Sequence, residues 1–168
     1  MLKRLGDENY TPKEVIEMVR SVMGGIDLDP TSTPKANDVV GAAKFYTIDD
    51  DAMKHPWAGR VFMNPPYSCS GKFVRKLVSE YSKKSVTEAT VLVNAYTDTS
   101  WFHLLADSSS VICMTRGRLG FWKTSPDNIV GQNRMGQCIA YMGPNRDKFL
   151  EFCTLGTVFE KYKPKVDL

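Results

Sequence analysis

The 168-residue sequence predicts an α/β fold, a mainly parallel twisted sheet with helices on both faces. Short apolar runs alternate with stretches whose apolar residues recur at helical spacing, the pattern of strands joined by crossover helices. At 42% hydrophobic and 24% charged, the composition is ordinary for a globular chain. A chain of this length buries about two-thirds of its unfolded surface, so a single domain over residues 1–168 is expected to stand without staples.

The first predicted helix covers 11–23, with Thr11 as N-cap, Pro12 at the first helical position and a stripe of Val15, Ile16, Val19 and Val22. Gly24-Gly25 ends it. Strands follow at 26–29, 61–63 and 90–95, and Lys44-Phe45-Tyr46 reads as a vestigial one. Phe73, Leu77, Val78 and Tyr81 share one face of a helix over 72–84, and a second helix is expected over 99–107. Further strands are expected at 111–116, 119–122 and 139–142, and a helix over 145–154 ends the alternation.

Charge and cysteine usage narrow the function classes. The net charge of +3 permits nucleic-acid binding without demanding it. Lys72, Arg75, Lys76, Lys83 and Lys84 form a local basic cluster, and Lys161, Lys163 and Lys165 decorate the tail. Cys69, Cys113, Cys138 and Cys153 make no C-x-x-C pair, and with only His55 and His103 beside them no zinc site is expected. Without a signal-like N-terminus or a long apolar run, the expectation is a cytoplasmic protein with reduced thiols and no membrane partner.

The most informative feature is Asn64-Pro65-Pro66-Tyr67, directly behind the apolar run Val61-Phe62-Met63. Two prolines end the strand's ladder, fix their own φ angles and remove two N–H donors. What remains is a set of acceptors, the Asn64 amide oxygen and the Pro65 carbonyl, beside the Tyr67 ring. An exocyclic amine on a base is a poor nucleophile because its lone pair is delocalised. Two acceptors on its N–H bonds draw it towards a reactive pyramidal nitrogen, and Tyr67 would stack on a base turned out of its helix.

With Tyr10-Thr11-Pro12, Asp27-Leu28-Asp29-Pro30, Trp57, Thr97 to His103 and Arg116 to Phe121 in the same order, the chain resembles the amino-group methyltransferases that use S-adenosylmethionine. The closer resemblance is to small phage- and prophage-encoded DNA adenine-N6 methyltransferases. It implies a compact Rossmann-like class I methyltransferase fold, shortened between the cofactor and catalytic motifs, because only 35 residues separate Asp29 from Asn64. It also implies Asp29-Pro30 as the first cofactor motif, Tyr10-Thr11-Pro12 against the methionine part of the cofactor, and a bacterial host cytoplasm. Asp51, in the triplet Asp49-Asp50-Asp51, is a candidate for ribose or adenine contacts, and Asn64 would border the cofactor as well.

Parallel sheets bind ligands at the carboxyl ends of their strands, so Asp27, Asp29 and Asn64 are expected to open onto one crevice. Thr31-Ser32-Thr33-Pro34-Lys35-Ala36-Asn37 stands where a Gly-rich loop is usual. Lys72, Thr97, Asp98, Trp101, Arg116 and Arg118 are candidate substrate contacts beside Tyr67, while His103 receives no role. The loops 57–60, 68–72 and 124–135 are candidates for reading sequence, and the last, polar with Asn128, Gln132, Asn133, Arg134 and the nearby Gln137, could instead merely link strands. The expected partner is DNA, bound by a monomer or weak homodimer without a metal. The same acceptors would serve an RNA adenine or a glutamine amide, and a chain that had lost its cofactor would be a silent nucleic-acid-binding module.

Overall fold

The computed structural model describes residues 9–123, 126–127, 129–132 and 134–161, with the backbone alone for 129–132. Val15, Ile16, Val19 and Val22 turn one face of helix α1, Lys13–Met23, into the core, and Gly24 closes it at a left-handed φ of 74°. There follow β1 (Leu28–Asp29), α2 (Pro34–Val40), β2 (Lys44–Phe45), a 3-10 turn (Ala52–Lys54) and β3 (Gly59–Met63). A second 3-10 turn (Tyr67–Cys69) leads to α3 (Ser70–Ser82), β4 (Val86–Asn94), α4 (Ser100–Ser108) and β5 (Val111–Thr115). Strands β6 (Gly120–Trp122) and β7 (Ile129–Gln132) pair with each other. The described chain ends with β8 (Gln137–Met142), α5 (Arg146–Phe152) and β9 (Gly156–Glu160).

Seven strands form the main sheet in the order β2-β1-β3-β4-β8-β5-β9. The pairs β1–β2, β1–β3 and β3–β4 are parallel, while β8 runs antiparallel to both β4 and β5, and β9 antiparallel to β5. Five strands therefore share one direction and two oppose them, which makes the sheet mixed with a parallel majority. β8 can oppose its neighbours because the chain reaches it from the β6–β7 hairpin at the carboxyl edge, without crossing back over the sheet.

Two apolar clusters cover the two faces. Phe62 and Leu92 pack with α1, Ile139 and Phe149 on one side; Met63, Val91 and Val93 pack with Val74, Leu77 and Leu105 on the other. Side chains alternate along a strand, so Asn64, two residues beyond Phe62, projects on the α1 side.

Several sequence expectations change. Pro12, not Thr11, occupies the cap position of α1, and no side chain caps that helix. Residues 31–37 are not an irregular loop: Thr33 caps α2 by accepting from the Ala36 N–H at 3.1 Å, and Pro34 opens the helix. The alternation continues past the α5 helix into β9, and β7 was not anticipated. Lys163 and Lys165 lie outside the described residues. Among the described residues no helix is long and apolar enough to cross a membrane.

Candidate active site

The connection β1-α2-β2 leaves β1 towards one edge of the sheet, and β3-α3-β4 leaves β3 towards the other. Adjacent loops that part in this way leave a crevice at the carboxyl ends of the strands. Asp29 ends β1 and Asn64 directly follows β3, and both line a small cleft of about 30 Å³ with Asn9, Tyr10, Thr11, Thr31 and Trp122. Asp27 does not join them. It sits before β1, where its carboxylate takes Arg60 Nε at 2.9 Å and Nη2 at 2.7 Å, and this pairing holds its pKa below the ordinary carboxylate value.

The half-buried Asn64 donates through Nδ2 to the Asn9 carbonyl at 3.0 Å and to Thr11 Oγ1 at 3.1 Å. A carbonyl can only accept, so this contact assigns the amide's orientation and turns Oδ1 the other way. Among the described residues nothing donates to Asn64 Oδ1 or to the Pro65 carbonyl. The Pro66 carbonyl, by contrast, accepts from the Cys69 N–H at 3.0 Å and from Ser70 Oγ at 3.2 Å, which locks the turn into the start of α3. Tyr67 opens that turn half-buried.

Asp29 is 3% exposed and forms no ion pair among the described residues. Its Oδ1 accepts from the Thr31 N–H at 2.9 Å and from the Thr31 hydroxyl at 3.0 Å. Burial pushes its pKa up to about 6, and the hydrogen bonds of Thr31 and Ser32 only partly offset that cost. An anion held dry without a counter-ion suits a cationic ligand. The cleft's aromatic wall is Tyr10 and Trp122, whose ring centroids lie 4.6 Å apart.

The family model for DNA N-6-adenine-methyltransferase (Dam) matches residues 1–162. The chain belongs to that family. In the DNA N-6-adenine-methyltransferase of Escherichia phage T1, 94 residues align at 32% identity, covering 55% of this chain and 37% of that protein. Over 73 residues the chain is also 32% identical to the Escherichia coli (strain K12) protein YfdM, covering 39% of this chain and 77% of that one. The crystal structure of a dimethyladenosine transferase from Plasmodium falciparum matches with a TM-score of 0.50 at 11% identity, over 85% of this chain and 66% of that one. That likeness shows the Rossmann-like methyltransferase fold. The segment aligned with the phage T1 protein is well under half of that protein's length.

Within this Dam-family chain the other predicted residues scatter in environment. Pro12 and Pro30 are buried supports of α1 and of the turn after β1. Asp51 begins the 3-10 turn after β2 at a φ of 49°, accepting from the Met53 N–H at 3.3 Å and facing Lys54. Burial opposes its ionisation, but the Met53 N–H, Lys54 and Lys72 outweigh that and hold its pKa low. Asp51 does not line the cleft of Asp29 and Asn64. Thr97 and Asp98 are exposed, and the cap of α4 is Thr99. Trp101 packs on α3 so closely that a Cβ at Gly71 would come within 3.0 Å of its Cδ1. Arg116 and Arg118 are exposed at the end of β5, across β4 and β8 from Asn64.

The basic cluster does not act as one surface. Lys72 and Arg75 are exposed near the motif, but Lys76 Nζ donates to the Met53 carbonyl at 2.9 Å and the His55 carbonyl at 2.7 Å. Lys83 and Lys84 stand at the far end of α3, about 17 Å away at 1.5 Å per residue. Trp57 is fully buried and Arg60 pairs with Asp27 at the amino edge, so the loop 57–60 is removed from the crevice. Asn128, Asn133 and the side chain of Gln132 lie outside the described residues, so that part of the 124–135 expectation has no structural counterpart.

Two features of the carboxyl edge do not follow from the sequence reading: the partner of Gln137, which the sequence groups only with the polar loop before it, and the role of Trp122. Asn94 ends β4 and Gln137 begins β8 opposite it, with Gln137 Nε2 donating to Asn94 Oδ1 at 3.2 Å. Both are 2% exposed and share the face of Asn64, and among the described residues Gln137 Oε1 is a buried atom without a partner. The other feature is Trp122, whose Nε1 donates to the Thr11 carbonyl at 2.9 Å. Its apolar surroundings in the sequence suggested only a strand residue.

Proposed function

We propose that this Dam-family protein transfers a methyl group from S-adenosylmethionine to the N6 amine of adenine in DNA, by direct transfer to a base turned out of the duplex. The observation that carries this reading is the pair of acceptors, Asn64 Oδ1 and the Pro65 carbonyl, with no protein donor among the described residues. Two acceptors from adjacent residues would match the two N–H bonds of an exocyclic amine. Tyr67, at the rim of the same turn, supplies a stacking face worth roughly 1–3 kcal/mol per base.

The residues of the cleft fit the cofactor. S-adenosylmethionine carries an ammonium and a sulfonium, and Asp29 is a buried carboxylate with no cation paired to it among the described residues. Asp29 would hold the cationic amino-acid part, with Tyr10 and Asn64 around it and Pro12 and Pro30 fixing the backbone on either side, while the Thr11 hydroxyl is engaged by Asn64 Nδ2. When bound, the cofactor supplies an electrophilic methyl group. Asn64 Oδ1 and the Pro65 carbonyl would accept from the amine's two N–H bonds, leaving its nitrogen more electron-rich with the lone pair oriented, while Pro66 stiffens the turn and Tyr67 holds the base plane. Positioning of this kind is worth roughly 7–11 kcal/mol of a barrier. Lys72, exposed just after the motif, and Arg116 and Arg118, exposed farther along the carboxyl edge, would suit phosphate contacts, with Trp101 on α4 completing the proposed substrate side. Thr97 and Asp98 complete the exposed rim after β4.

The test is transfer of labelled methyl from S-adenosylmethionine to unmethylated duplex DNA, with the product digested to nucleosides. The expected result is label in N6-methyladenine from the wild type and almost none from Asn64→Ala. Label appearing only with RNA or protein substrates would replace DNA as the substrate, and no cofactor binding by calorimetry would sink the enzyme reading.

A further inference from the structure

An asparagine amide can sit in two orientations of nearly the same shape, related by a half-turn about its last bond. For the reaction proposed above they are not equivalent. In one, Oδ1 meets the target amine as an acceptor; in the other, the NH₂ meets the amine's own hydrogens and repels them. Something must select the first orientation before substrate arrives.

We propose that the Asn9–Thr11 segment, held by Trp122, is the positioning element that sets the orientation of the Asn64 amide. This inference rests on the methyltransferase reading and adds to it residues that act through Asn64. The Asn9 carbonyl, 3.0 Å from Nδ2, breaks the symmetry: a flipped amide would place two acceptor oxygens against each other. Thr11 Oγ1 accepts the second Nδ2 proton at 3.1 Å. Thr11 is 6% exposed, so water cannot readily replace its hydroxyl.

The segment is itself anchored from far along the chain. The Tyr10 N–H donates to the Trp122 carbonyl at 3.0 Å, the Trp122 N–H donates back to the Tyr10 carbonyl at 3.2 Å, and Trp122 Nε1 donates to the Thr11 carbonyl at 2.9 Å. The Tyr10 and Trp122 rings pack with centroids 4.6 Å apart. Tyr10 also receives the Thr33 hydroxyl at 3.4 Å, which ties the segment to the cap of α2. Trp122 ends β6, in the hairpin beside the main sheet, so the hairpin and the polarising amide share one rigid connection.

The experiment compares Thr11→Val, which keeps the shape and removes the acceptor, with Thr11→Ser, which keeps the hydroxyl. In single-turnover and steady-state transfer to duplex DNA, Thr11→Val is expected to lower kcat about tenfold. Its KM for DNA and its cofactor dissociation constant should stay within about twofold, and Thr11→Ser should recover most of the rate. The side-chain NH₂ protons of Asn64, followed by NMR in the cofactor-free protein, should exchange with solvent faster in Thr11→Val. Trp122→Phe keeps a ring against Tyr10 but removes the Nε1–H, and kcat should again fall. A loss confined to cofactor affinity would make Thr11 a cofactor contact and overturn the proposal, as would unchanged kcat and proton exchange in Thr11→Val. Full kcat in Trp122→Phe would remove Trp122 from the device. A wild type that forms no N6-methyladenine would overturn the underlying reading instead.

Discussion

Asp27 and Asp29 stand two residues apart on one strand approach, yet they belong to opposite edges of the sheet and to opposite kinds of chemistry. At the amino edge polar groups are matched: Asp27 with Arg60, Glu88 with Tyr141 and Asn145, and Arg146 with Glu160. At the carboxyl edge they are left with capacity to spare: a buried carboxylate without a cation, and two acceptors without donors among the described residues. Leaving a buried polar group unmatched costs stability, so such groups persist where a ligand completes them. Saturation marks the edge that holds the fold together, and its absence marks the edge that works.

The contrast can be broken most sharply at Asn64. Replacing it by Ala is expected to lower the single-turnover rate about a hundredfold to a thousandfold, the usual cost of one preorganised polar group, with cofactor affinity nearly unchanged. Full activity in that variant would remove the polarising role.

Asp29→Asn should come next, raising the cofactor dissociation constant roughly tenfold to a hundredfold, as expected for losing a charge-assisted contact. Its pH dependence sharpens the point. The folded pKa is raised to about 6, so this group's contribution to stability is complete below the unfolded value of 3.8 and is lost as pH rises through about 6. The ligand-free Asn variant should therefore melt at or above the wild type at pH 7.5, since its amide oxygen can still accept from Thr31. Wild-type cofactor affinity should rise with pH through about 6, and in the variant it should be flat. A clear drop in melting temperature together with unchanged binding would assign Asp29 to the fold.

Tyr67→Ala should weaken engagement of the target base by about tenfold in KM, with Tyr67→Phe close to wild type. Equal losses in both would point to the hydroxyl. The smallest effect belongs to the amino edge: Arg60→Ala should cost only about 1 kcal/mol, because the pair is more than a third exposed on average, and should leave methyl transfer intact. A loss of activity without unfolding there would blur the distinction between the edges.

Most elements were legible because their signals are local. The stripe of α1, the apolar run before Asn64, and the α3 and α4 faces follow from side-chain period alone. The helix α2 had a local signal too, Thr33 followed by Pro34, but it was read as a departure from a Gly-rich loop. Strand β9 sets the half-buried Val158 between exposed Thr157 and Phe159, an alternation too short to stand out beside the lysines that follow. The Thr11 hydroxyl suits a helix cap on local grounds, but in the fold it accepts from Asn64 Nδ2, 53 residues away.

By itself the sequence determined the alternation of elements, the stiff Asn64-Pro65-Pro66-Tyr67 turn and the candidate pairing of that turn with Asp29, because proline geometry, hydrophobic period and residue chemistry need no distant partner. Only the tertiary structure decided which aspartate pairs with an arginine and which has no ion pair among the described residues, which way the Asn64 amide faces, and that Lys76 and Arg60 are structural while Lys72 remains exposed. Those outcomes depend on burial and on partners brought together by sheet order, and neither is written in the neighbourhood of any one residue.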